Sequence, residues 1–140
     1  MRIRTRTVTF AAALAFVAAG CGNDKCPTEP PEVSGIPTDC QAATGQAVTY
    51  PLHLCPTCNQ TFSSCDVQMS GNDIFLNPTV EACTSSSSCG AGCSPNTNAC
   101  TFTAPAPGDY IVSAYDAAHP SQPRTGTLHV LTGGPVSCAF

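Results

Sequence analysis

A chain of 140 residues with 11 cysteines, 13 prolines, no tryptophan and 10% charged side chains carries a formal charge of −4. Its five basic residues do not cluster beyond the first six positions, which excludes nucleic acid as a partner, because phosphate binding needs grouped Lys and Arg. The same scarcity excludes a polybasic contact with anionic lipid.

Arg2, Arg4 and Arg6 precede an apolar run from Val8 to Ala19. A basic start, a short apolar middle and a small-residue exit mark residues 1–20 as a secretory signal peptide. A membrane-spanning helix needs about 20 apolar residues, and neither this run nor any later one is long and apolar enough. The exit has two readings. Signal peptidase can cut after Ala19, with Val17 and Ala19 as its small-pocket residues. Alternatively, Ala18-Ala19-Gly20-Cys21 resembles the lipobox of bacterial lipoproteins, in which the chain is cut before the cysteine. The sulfur and new amino terminus of that cysteine are then acylated. Ala18 departs from the Leu usual at its position. Lipidation of Cys21 leaves ten cysteines, which can all pair, whereas otherwise one thiol is left over. The resemblance implies a membrane partner through the N-terminal lipid. Gly22 is not the Asp that retains many lipoproteins at the inner membrane, which points to the outer membrane or cell surface.

Residues 21–39 read as a lipidated N-terminus and a proline-rich tether, with Pro27, Pro30, Pro31 and Pro37 among polar residues. Such sequence favours extended, semi-rigid structure and forms no core. Cys26 lies within it and can pin part of the tether to the domain or to Cys40.

The folded domain is expected over residues 40–140, with a hydrophobic period of two. Val48, Tyr50, Leu52 and Leu54 alternate with polar or small residues, as do Cys65, Val67 and Met69. Ser70-Gly71-Asn72-Asp73 is a turn signal, after which Ile74-Phe75-Leu76 resumes as a strand. Cys83 to Cys100 has almost no apolar side chains and reads as a loop ordered by its own cross-links. Cys100 and Phe102 alternate, Ala104 to Gly108 breaks the chain, and Tyr110, Val112 and Ala114 share one face of the next strand. Thr125 to Leu131 makes another, with Leu128 and Val130 on one side. Short alternating runs bounded by Gly, Pro and Asn predict an all-β sandwich or barrel. The apolar complement is modest for about 100 residues, and disulfides commonly offset that deficit in exported domains. The expected set is Cys26, Cys40, Cys55, Cys58, Cys65, Cys83, Cys89, Cys93, Cys100 and Cys138, with pairing open.

Pro107-Gly108-Asp109-Tyr110-Ile111-Val112, followed by Thr125 to Leu131, resembles the last two strands of bacterial Ig-like modules, in the broad group with PKD and fibronectin type III domains. Cys100 to Pro105 resembles the strand before that turn. The resemblance implies a disulfide-rich, Greek-key sandwich of about seven strands. It also implies that Tyr110 is a corner tyrosine, its ring packed and its hydroxyl bonded to nearby backbone.

Several constellations have residue types that bear on chemistry. Cys55-Pro56-Thr57-Cys58 has the C-x-x-C spacing of thiol–disulfide enzymes, but no helix or βαβ pattern follows. A zinc ribbon needs a second such knuckle, and Cys89-x3-Cys93 is a poor one. His53, His119 and His129 are scattered. Asp109 and Asp116 are candidates for weak calcium binding. Asn59-Gln60-Thr61 is a glycosylation sequon. The expected function is therefore a non-enzymatic structural or binding module of the cell envelope, with no cofactor and with an extracellular protein or glycan as ligand. The alternatives are a redox protein using Cys55 and Cys58, or a metal-binding cysteine-rich protein.

Overall fold

The computed structural model describes residues 26–56, 59–83 and 96–140. The signal segment, Cys21, Cys58, Cys89 and Cys93 lie outside the described residues. The described chain is all-β, with ten strands in two sheets. Seven have five residues or more: β3 (Asp39–Ala43), β4 (Ala47–Leu54), β5 (Gln60–Ser70), β6 (Asp73–Ala82), β7 (Asn96–Thr103), β8 (Gly108–Ala114) and β9 (Arg124–Leu131). Three are shorter: β1 (Thr28–Glu29), β2 (Val33–Gly35) and β10 (Ser137–Ala139).

Alternation places the core. Val48, Tyr50, Leu52 and Leu54 of β4 are all fully buried, as are Ile74 and Leu76 of β6, Val112 and Ala114 of β8 and Leu128 of β9. These residues form one cluster between the sheets, the arrangement expected when two inner faces interdigitate. Met69 has the inward register, paired with Ile74, yet remains 44% exposed.

The larger sheet runs β6-β8-β9-β3-β10, with β5 on the far side of β6 and β1 beside the end of β6. The smaller is β2-β4-β7. Pairs β3/β9 and β6/β8 are parallel; the others are antiparallel. The hairpin between β5 and β6 turns at Gly71, whose φ of 59° favours glycine. Gly126 is required for a different reason. A Cβ there would come within 2.1 Å of the Pro37 carbonyl oxygen. That carbonyl accepts a hydrogen bond from the Tyr50 hydroxyl at 3.1 Å, at the corner where the chain leaves β2 for β3. Burial, with the charge of Asp39 adding to it, pushes the Tyr50 pKa up to about 12, so the hydroxyl keeps its proton. Tyr110 packs with 8% exposure, and its hydroxyl donates to the Ala106 carbonyl at 2.8 Å.

Two expectations change. The domain does not begin at Cys40, and the segment from Cys26 onward is no tether. β1 pairs with β6 and β2 with β4, and Pro31, Val33 and Ile36 are buried. Long-range contacts described below offset the local preference of a proline-rich segment for solvent. The stretch Cys83–Cys100 is also not wholly a loop. β7 begins at Asn96, so Asn96 to Cys100 pairs with β4 from Leu54 to Tyr50.

Candidate functional site

Two of the described cysteines close a seam between the sheets. β5 and β7 are the outermost strands of the two sheets along one seam. Cys65 and Cys100 join them there, with Cα atoms 5.3 Å apart. At the opposite edge the register sets Cys138 of β10 directly across from Cys40 of β3, and these two are bonded. Cys26 is bonded to Cys83, just beyond β6. The Pro27 carbonyl beside it accepts the Ala82 N–H at 2.9 Å. The bridges span 57, 98 and 35 residues of chain. In the chain-entropy limit each restricts the unfolded state by roughly 4–5 kcal/mol. Such bridges form and persist in an oxidising, extracytoplasmic compartment. Cys83 and Cys100 thus pair with residues outside the stretch they bound. Cys55 is disulfide-bonded too and nearly buried, and its N–H donates to the Glu32 carbonyl.

At the end of the sandwich that carries Cys26 and Cys83 lies a pocket of about 490 Å³. Its floor includes Leu54 and Val80, and Gln60, Thr61, Asn96 and Asn98 supply uncharged polar groups. Asp116, in the loop after β8, sets how the N-terminal segment sits. Its side chain is fully buried. Oδ1 accepts the N–H groups of Val33 at 3.3 Å and Ala118 at 3.0 Å. Oδ2 lies 3.0 Å from His119 Nδ1 and 3.4 Å from Arg124 Nε. Arg124 Nε also donates to the Val33 carbonyl at 3.1 Å, and the Ala117 N–H to the Pro31 carbonyl at 3.2 Å. Burial works against the Asp116 charge. The His119 hydrogen bond, the two backbone N–H groups and the His119 charge nevertheless hold its pKa below the ordinary 3.8. These donors are what bury Pro31 and Val33, and nothing local in the sequence announces them.

Asp109 engages His129 Nδ1 at 2.6 Å on the outer face of the larger sheet, while Asp116 is buried, so the two do not form a calcium site. His129 also reaches Asp39 through Nε2 at 3.4 Å. The Asp109 hydrogen bond raises the His129 pKa above the ordinary 6.5. Desolvation opposes this; the charges of Asp109 and Asp39 and the Asp39 bond add to it. That contribution to stability is complete below the ordinary value and fades as pH rises through the folded value. His53 stacks on Phe140 with ring centroids 4.1 Å apart, so each histidine keeps its own partners. Among the described residues, no three His, Cys, Asp or Glu side chains form a group able to hold a metal ion. Among them too, no helix is long and apolar enough to cross a membrane. No family model, curated protein or solved structure matches this chain.

Proposed function

We propose that this is an exported, lipid-anchored protein of the cell envelope whose folded part is a non-enzymatic structural or binding module. The observation that carries the reading is the set of three long-span bridges, one joining the two sheets and two tying the edge strand and the N-terminal segment to the larger sheet, behind an N-terminal segment ending in Gly20-Cys21. Covalent closure substitutes for core size and holds the surface rigid, so that binding costs little ordering. The ligand class this favours is an extracellular protein or a glycan, and the pocket with uncharged polar walls suits a neutral, hydrogen-bonding group. A redox role for Cys55 and Cys58 is the second reading. It needs an accessible thiolate, and the 7% exposure of Cys55 favours a structural bridge instead. Mass spectrometry of the mature N-terminus tests the anchor. An acylated Cys21 is expected, and a plain Gly20 start contradicts it.

A further inference from the structure

We infer that the anchored domain is held within about 20 Å of the membrane surface, with the end carrying Cys26 and Cys83 turned toward the lipid. This rests on the lipidation of Cys21 proposed above. A lipid at Cys21 followed by a free tether to Cys40 would give the domain a leash of nineteen residues, about 65–70 Å when extended. The fold removes most of that length. Cys26 is bonded to Cys83, Pro27 is hydrogen-bonded to Ala82, β1 lies against β6 and Val33 is held by Asp116 and Arg124. Five residues then separate the lipid from the first bridge, about 18 Å of chain at full extension. That is less than the length of a strand such as β5, with its 11 residues at about 3.4 Å each.

The strand directions decide which end faces the lipid. β6 runs toward Cys83, and β4 and β8 end on the same side, whereas β5, β7 and β9 start there. The 490 Å³ pocket belongs to this inner end. The turns at 44–46, 71–72, 104–107 and 132–136 belong to the opposite one and point outward. Glu29, Glu32 and Glu81 sit at the inner end and are repelled by anionic headgroups. Apposition is therefore imposed by the short covalent leash and not by adhesion, and the chain cut at Cys21 has no affinity of its own for lipid.

Neutron reflectometry of the full-length acylated protein in a supported phosphatidylcholine bilayer tests this. The native protein is compared with a variant carrying a ten-residue Gly-Ser insert between Asp24 and Lys25, which leaves every strand and bridge in place. The expected solvent gap between headgroups and protein is at most about 20 Å for the native chain and clearly wider for the insert. A native gap above about 20 Å, or one that the insert does not change, overturns the inference. Mass spectrometry of the same sample separates the two failures. Missing acyl groups on Cys21 refute the anchor itself, whereas a wide gap with the acyl groups present refutes only the close apposition.

Discussion

Asp116 shows how much of this fold hangs on single polar contacts. A buried carboxylate is costly unless donors surround it, and here two backbone N–H groups, His119 and Arg124 do so. Asp116→Asn keeps the shape but turns an amide NH2 toward the nitrogens of His119 and Arg124. His119 and Arg124 are each more than a third exposed, so their share is discounted for solvent screening. The expected loss is about 2–3 kcal/mol, as for hydrogen bonds to a charged group, read as a lower urea midpoint near neutral pH. The pH dependence has a definite sign. Because the folded pKa lies below the ordinary 3.8, the stabilisation is complete above that value and is lost as pH falls through the folded one. The native protein should lose stability in that acid range, and Asp116→Asn should lose less. Gly126 gives a second residue-scale expectation. A methyl group there collides with the Pro37 carbonyl and the Tyr50 hydroxyl, neither of which is a flexible tip. Gly126→Ala should cost about 1–3 kcal/mol, the range for overpacking a close-packed interior, and an unchanged melting temperature would refute the collision.

Among the elements, β4, β8 and β9 are legible in the sequence, whereas β1, β2, β3, β10 and the first half of β7 are not. Val48 to Leu54, Tyr110 to Ala114 and Leu128 to Val130 declare themselves because one face is buried and the other wet, which is what a period of two records. β1 and β2 are hidden by the prolines that flank them, Pro27, Pro30, Pro31 and Pro37. Their composition reads as a solvated spacer, while the burial of Pro31 and Val33 depends on Asp116 and Arg124, more than eighty positions away. The cysteine pairing is hidden for a related reason. Ten cysteines allow about 945 pairings, nine times the 105 for eight, and only the strand register brings Cys40 opposite Cys138. The pocket is likewise invisible in advance, since its walls come from β4, β5, β6 and β7. At this scale the Cys65–Cys100 bridge is the informative one, because it joins the edges of two different sheets. The Cys65→Ala, Cys100→Ala double variant should lose about 2–5 kcal/mol, the usual cost of removing a native bridge from a small exported domain. A urea midpoint equal to that of the native protein would mean the seam holds without it.

For the molecule as a whole, the balance is between a small core and covalent closure. Beyond Cys21 there are two basic residues, Lys25 and Arg124, against nine acids, a formal charge of −7 that opposes compaction. The aromatic content is 6% with no tryptophan, so hydrophobic burial alone leaves a slender margin. Bridges of long span, set at both edges of the sandwich and at its N-terminal end, compensate by restricting the unfolded chain. They also shorten the leash that would join the domain to a lipid. Disulfide mapping of protein taken from its native compartment, under conditions that block exchange, tests this most directly. Cys26–Cys83, Cys40–Cys138 and Cys65–Cys100 are expected as intact bridges. Free thiols at these positions in a folded protein, or a different pairing among them, would contradict it.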